Sequence, residues 1–281
     1  MSSNSGTLWI VATPLGNPGD LSPRAREILA GADMVLAEDT RRSGLLFAAC
    51  GITAKRFVSL HDHNEKSKLT GVMRELQNGA SAALVSDAGT PLVSDPGYQL
   101  VKACRENGIR VSPVPGPSAP VAALSASALP PLPFVFLGFP PRGKGDIRKF
   151  FAPYANLTAT VIFFERKDRL AATLAIARES LGVRDGCIAR EVTKTYEEFI
   201  PFRLDATVEI FLKERELLGE ITVLLGPPLE MTRTDEKEIL ESITAHKEAD
   251  PAAKPKEIAR RAHKDARGWS VPEIYALLQR R

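Results

Sequence analysis

Two consecutive α/β units followed by a small basic helical module form the architecture this sequence predicts. Three observations point there. Short apolar runs alternate with helical patterns from residue 7 to residue 128, at the spacing of strand–helix repeats. A stiff hinge, Pro130-Pro131-Leu132-Pro133, marks the boundary region before a second such series, which ends at Gly226-Pro227-Pro228. Beyond residue 230 only amphipathic helical patterns remain, rich in Lys and Arg. The units are set at 7–117, 118–228 and 230–281.

The first run, 7–12 (TLWIVA), reads as a buried strand and ends in the rigid loop TPLGNPGD. Ser22 is placed to cap a helix with Pro23 at its first position, and Ala25, Ile28, Leu29 and Ala32 supply its apolar stripe. A short strand over 34–37 ends in Glu38-Asp39-Thr40-Arg41-Arg42, and the next helix stops at Gly51. A third strand, 56–60, ends in His61-Asp62-His63-Asn64-Glu65, and a helix over 66–78 follows. The strand at 82–85 leads into the central loop, a helix to residue 107, and a strand over 109–114. Ser118 is then placed to cap an Ala-rich helix. Alternation at this spacing argues for a mostly parallel sheet, whose five polar, Gly- or Pro-bearing strand ends converge on one edge.

The second unit reads as strand 134–139, basic loop 140–145, helix 144–154, strand 160–164, helix 168–181 and strand 187–192. An extended stretch at 198–202, a helix at 205–214 and a last strand at 220–225 complete it. The basic loop reads as mobile. In the tail, helices over 234–247 and 255–264 and a third beginning after Ser270 surround a turn at Gly268, in the manner of a helix-turn-helix.

Composition bounds the function classes. The 281 residues are 44% apolar and 25% charged, as in soluble globular proteins. No apolar run approaches the roughly 18 residues of a membrane span. Residues 1–6 are polar and lack the basic-then-apolar order of a secretory signal. Three scattered cysteines, Cys50, Cys104 and Cys187, suit a reducing compartment without a disulfide frame, so the protein is expected in the cytoplasm. The net charge of +3 is uneven: residues 254–281 hold eight Lys/Arg against three Asp/Glu, which leaves 29 against 31 elsewhere. A basic C-terminus of that kind points to an anionic partner such as nucleic acid; the competing reading is a helical brace with a solvated basic face.

The loop at 84–98, LVSDAGTPLVSDPGY, carries two Ser-Asp turns directly after a strand. Between residues 79 and 101 the only charges are Asp87 and Asp95. No Walker or Gly-x-Gly-x-x-Gly spacing is present, so the loop suits a cationic or zwitterionic ligand rather than a phosphate. The alternative is a tight connector whose aspartates cap helices. Glu38-Asp39-Thr40-Arg41 offers a proton acceptor or a phosphate clamp, against an ordinary helix cap by Asp39 or Thr40. His61-Asp62-His63 invites a metal reading, but the remaining histidines, His246 and His263, lie in the tail, and a polar substrate-contacting loop is favoured; no metal is expected. Arg42, Arg166, Arg190 and Lys194 are expected to form a cationic rim to the cleft, or else interdomain salt bridges.

Taken in order, TPLGNPGDLSPRA, AEDTRRSG, LHDHNE, ALVSDAGTPLVSDPGY, PVPGPSA, FFERKDRL, AREVTKTYEE and GEITVLL resemble the rRNA ribose-methylating branch of the tetrapyrrole methylase superfamily. The resemblance runs from about residue 7 to residue 226 and continues into the C-terminal helical module. It implies two α/β domains with S-adenosylmethionine in the cleft between them, a homodimer, and methylation of a cytidine ribose 2′-hydroxyl in the decoding region of 16S rRNA within the small ribosomal subunit. With it, the cofactor candidates are Ser86, Asp87, Ala88, Gly89, Ser94, Ser118 and Ala119, joined by Phe164, Glu165 and Ala189 from the facing domain. Glu38, Asp39, Asp62 and His63 are the catalytic candidates. Arg41, Arg42, Arg166, Arg190, Lys194, Arg260, Arg261 and Lys264 are the RNA-contacting candidates. A precorrin-type C-methyltransferase and a non-catalytic RNA-binding protein on the same scaffold are the competing readings.

Overall fold

The structure is a computed structural model that describes residues 6–208, 212, 217–229, 234–264, 266 and 268–279. The first sheet consists of β1 (Thr7–Val11), β2 (Met34–Ala37), β3 (Phe57–Ser59), β4 (Ala82–Val85) and β5 (Arg110–Val114), in the order β3-β2-β4-β1-β5. Every pairing in it is parallel. Both faces are covered, which is why Met34–Ala37 and Ala82–Val85 are apolar at every position and fully buried. Helices α1 (Pro23–Gly31) and α2 (Thr40–Ala49) close one face around Leu29, Val35 and Phe47. Helices α3 (Glu65–Gln77) and α4 (Tyr98–Glu106) close the other around Leu36, Leu76 and Leu100. The start of α1 is as expected: the Ser22 hydroxyl accepts from the Ala25 amide.

The second sheet is built differently. It holds β6 (Phe134–Phe136), β7 (Thr160–Glu165), β8 (Arg184–Arg190), β9 (Glu198–Arg203) and β10 (Ile221–Pro228), in the order β6-β7-β10-β8-β9. Only β6 and β7 are parallel; the other three pairings are antiparallel. The strand expected at 187–192 is displaced to 184–190. Its start is fixed by Arg184, fully buried, whose guanidinium donates to the carbonyls of Leu181, Gly226, Tyr154 and Ala155. Helices α6 (Lys144–Phe151) and α7 (Lys167–Leu181) pack on one face, around Phe151, Phe163 and Leu174. Helix α5 (Ala119–Ala126) lies on the other through Ala123 and Leu124. The basic loop read as mobile is tied down: Arg169 donates to the carbonyls of Pro140 and Pro141. The helix expected at 205–214 falls partly outside the described residues.

The C-terminal module packs α8 (Glu236–Ala249), α9 (Pro255–Ala262) and α10 (Val271–Gln279) around Ile239, Ile258, Ala262 and Ile274. Gly268, at φ 68°, makes the turn before the last helix. No helix among the described residues is long and apolar enough to cross a membrane.

Candidate active site

A parallel sheet delivers all its carboxyl ends to one edge, and there the loops of the first sheet meet. The β1 and β4 loops are joined by backbone: Thr13 and Gly89 exchange N–H···O bonds of 2.8 and 3.0 Å. The buried Thr13 hydroxyl donates to the Ser86 carbonyl, and the Ser86 hydroxyl to those of Ala88 and Gly89. The central loop then bends through Leu92 and Ser94, both at φ 72°, a left-handed region rarely held by such residues. Gly97, at φ 115°, ends it against Leu84. Backbone strain of this kind, held by surrounding contacts, clusters at functional loops.

Across from these loops stands the second sheet. Between the two lies a cavity of about 480 Å³, a size suited to a small organic ligand. Leu15, Glu38, Arg42, Asp87–Thr90, Val93–Asp95 and Ser118–Pro120 line it from the first sheet's edge. Phe139, Phe164–Lys167, Val192 and the stretch Gly219–Thr222 line it from the second. Phe139 and Phe164 pack at a tilt with centroids 5.2 Å apart, giving one apolar aromatic wall.

The carboxylates around the cavity fall into two kinds. Asp87 is neutralised by Arg42 at 2.8 Å. Glu165, buried, accepts from the Thr173 hydroxyl, the Arg166 amide and, more loosely, Arg169 at 3.5 Å. Glu38 and Asp95, by contrast, form no ion pair among the described residues. Burial, then Asp87 and Asp62, raise Glu38 above the usual carboxylate range. Burial, then Glu38, push Asp95 up to about 6, although the Ser86 hydroxyl pulls the other way.

With that geometry in place, comparison with known proteins decides the family. The description of tetrapyrrole (corrin/porphyrin) methylases matches residues 7–207. The chain belongs to this methylase family. Among its relatives are proteins named ribosomal RNA small subunit methyltransferase I. That of Mesorhizobium japonicum is 44% identical over 221 residues, 78% of this chain and 75% of the relative. That of Escherichia coli O157:H7 is 47% identical over 196 residues, covering 69% and 68%. The fold agrees with solved structures. Diphthine synthase superposes with a TM-score of 0.63 at 16% identity, covering 80% of this chain and 92% of that one. Uroporphyrin-III C-methyl transferase from Thermus thermophilus, solved with S-adenyl homocysteine, superposes with a TM-score of 0.55 at 20% identity, covering 79% and 97%.

In this methylase the expected cofactor residues divide. Asp87, Ala88, Gly89, Ser94, Ser118, Ala119, Phe164 and Glu165 line the cavity. Ser86 is buried beneath it and shapes the loop. Ala189 is not at the cavity: it lies fully buried on β8, packed with Ala123 and Ile162, with Thr222 of β10 beside it in the sheet. Ser118 begins α5 but its hydroxyl makes no capping bond, contrary to expectation.

Of the catalytic candidates only Glu38 lines the cavity. Asp39 caps α2, accepting from the Arg41 amide, and its ion pair with the Arg41 guanidinium holds its carboxyl down to about 2. Asp62 and His63 are exposed and do not line the cavity, although Asp62 is near enough to raise Glu38. Glu65, read with them as a substrate-contacting loop, instead caps α4 by accepting from the Leu100 amide at 3.0 Å. His61 and His63 meet edge to face with centroids 6.1 Å apart, and among the described residues no group of three His, Cys, Asp or Glu is placed to hold a metal.

The expected cationic rim is only half there. Arg42 and Arg166 line the cavity, joined by the unexpected Lys167. Arg190 is turned to Glu198 and the Leu218 carbonyl. Lys194 spans Glu191 and Glu220, and its stem crowds Gly16 of the β1 loop. Arg41 is spent on Asp39. In the module, Arg260 and Lys264 are exposed, whereas Arg261 is bound to Glu257 and Asp250. Sequence reasoning left out Asp95, Phe139, Ile221 and Thr222. The repeated Ser-Asp was the available signal for Asp95; for Ile221 and Thr222 there was none, since which strand edge faces the cavity depends on the pairing.

Proposed function

We propose that this methylase moves the methyl group of S-adenosylmethionine to the ribose 2′-hydroxyl of a cytidine in 16S rRNA, on the small ribosomal subunit. The observation that carries it is the cavity's asymmetry: Glu38 and Asp95, without ion pairs among the described residues, on the first sheet's wall, and Arg166 and Lys167 on the second's. Carboxylates without counter-ions fit a sulfonium cation, and a cationic border fits a sugar-phosphate chain. The residues present therefore fit this cofactor. The strained loop of Ser94 and Asp95, with Asp87–Thr90, would hold it, and Phe139 with Phe164 offers an aromatic wall to a purine. When bound, the sulfonium supplies an activated methyl group with a good leaving group.

The chain's own work is alignment and exclusion of water. Fixing the hydroxyl in line with the methyl carbon can contribute about 7–11 kcal/mol. The exposed Arg260 and Lys264 of the module, with Arg42, Arg166 and Lys167, would neutralise phosphates during docking. The relatives' name, with identity over two thirds or more of each chain, supports rRNA as the substrate class. We assign the chain to the cytoplasm, where that substrate is, and to a homodimer.

Tritiated methyl transfer to small subunits from cells lacking the protein, followed by nucleoside mapping, tests the reading. Label in 2′-O-methylcytidine is the expected result. Label on a base, or transfer to a tetrapyrrole instead, would refute it.

A further inference from the structure

Outside the cavity, the β5 edge of the first sheet carries charged groups that the function above does not use. Strand β5 ends the sheet, and its register with β1 sets Thr7 beside Arg110, Trp9 beside Ser112 and Val11 beside Val114. Side chains alternate along a strand, so these residues share one face. Val11 and Val114 identify it as the face that α1 and α2 cover. The cover is incomplete at the edge: Thr7, Trp9 and Ser112 are half-buried and Arg110 is exposed. Helix α5, which follows β5, packs on the second sheet instead. A shelf with an indole floor is left open to solvent.

Two guanidiniums lie over that floor. Arg24, in the first turn of α1, sits 5.8 Å from the centroid of the Trp9 ring, and Arg110 sits 5.9 Å from it. Neither forms an ion pair among the described residues. Glu27, one turn further along α1, is exposed and is not paired with Arg24. Arg41, Arg42 and Arg56 of the same domain are, by contrast, each bound to a carboxylate. The hydroxyls of Thr7 and Ser112 on this face make no hydrogen bond among the described residues either. Resting on the indole holds both guanidiniums in place, which lowers the ordering cost of binding.

We propose that this shelf is a phosphate clamp for the sugar-phosphate backbone of the substrate RNA, a second contact that holds the subunit while a ribose enters the cavity. The proposal rests on the reading that the substrate is RNA. Two like charges gathered at one ring, with no acid to offset them, favour an anion. A guanidinium fork matches phosphate oxygens, and hydroxyl donors are ordinary partners of the same group. Thr7 and Arg110 begin their strands, whereas the cavity lies at the carboxyl ends. The clamp is thus about one strand length from the cavity edge, roughly 15 Å at about 3.3 Å per residue. Because the arginines already cover the Trp9 ring, no nucleobase stacks there, and the contact positions the RNA without reading its sequence.

The test is binding of the full-length protein to small subunits from cells lacking it, between about 50 and 200 mM salt, with steady-state methyl transfer measured alongside. Neutralising two phosphates contributes about 1.4–1.8 to the slope of log affinity against log salt. Arg24→Gln combined with Arg110→Gln should flatten the slope by about that amount and raise KM roughly tenfold. The same variant should leave kcat and S-adenosylmethionine affinity unaltered. Arg24→Lys combined with Arg110→Lys, which keeps both charges but not the fork, should restore the slope. Arg110→Gln alone, on the exposed edge, should flatten it by half as much and serves if the double variant fails to fold. An unmoved slope in the Gln variants, or one equally flattened in the Lys variant, overturns the proposal and leaves the arginines as packing on Trp9. A saturable change in Trp9 emission on adding inorganic phosphate, combined with an unmoved slope, would reassign the shelf to a free anion and overturn it likewise. Subunit binding without methyl transfer by the wild type would refute the functional reading and leave the clamp standing; methyl transfer with an unmoved slope refutes the clamp alone.

Discussion

The two edges of the first sheet treat acidic side chains in opposite ways. At the amino ends of the strands, Asp33 accepts from the Ser81 amide and hydroxyl and pairs with Lys55 at 2.9 Å. Those contacts hold its carboxyl far below the usual range. At the carboxyl ends, Glu38 and Asp95 form no ion pair among the described residues and are raised. Same sheet, same residue class, opposite shifts: one edge uses its acid to join β2 to β4, and the other, beside the paired Asp39 and Asp87, keeps Glu38 and Asp95 available. Strand direction accounts for the division, since only the carboxyl edge faces the second sheet and its cavity.

The contrast is breakable by substitution, and the largest expected effect is on the carboxyl edge. The sign follows from the raised value. Protonated below about 4, Asp95 costs folding nothing there, and the penalty grows as pH rises through about 6. Asp95→Asn should therefore stabilise the protein at pH 8 by on the order of 1–3 kcal/mol. At pH 4 the gain should vanish; urea unfolding at the two pH values reads the difference. Next in size is Gly97→Ala. It forces a Cβ into a residue at φ 115° and to within 2.5 Å of a Leu84 methyl. A loss of about 1–3 kcal/mol, with weaker cofactor affinity, is expected in the same unfolding and calorimetry measurements.

The amino edge should respond less and with the other sign. Asp33 stabilises above the unfolded carboxylate value near 4, and that contribution disappears as pH falls below it. Asp33→Asn should cost less than about 1 kcal/mol at pH 7, the pair being half-exposed and screened. The variant and the wild type should converge in acid. Smallest is Arg42→Gln: the exposed pair with Asp87 is worth under about 0.5 kcal/mol of stability. Its expected signature is a raised KM for small subunits with kcat nearly unchanged, measured by steady-state methyl transfer.

Much of this was legible beforehand where periodicity and turn chemistry agree. The five strands of the first sheet, the Ser22 cap and the convergence of the strand-end loops follow from apolar runs and Gly/Pro breaks. The second sheet was less legible, for a physical reason. An apolar strand reads alike whether its neighbour runs parallel or antiparallel, and only the strand order shows that Thr222 of β10 and Phe164 of β7, paired side by side, reach the cavity while Ala189 on the next strand does not. Arg184 hid the start of β8, because a charged residue reads as loop until its carbonyl partners are known. Asp39 and Asp95 look equivalent in sequence; what separates them is that one meets an adjacent guanidinium and the other meets a second acid.

One small contact constrains how the cleft breathes. Because Thr13 and Gly89 are laced together through their main chains, the turns after the first and fourth strands move as a single jaw. Any widening that admits a nucleotide must then come from rocking the opposite half, for which the Lys194 stem lodged on Gly16 acts as the latch.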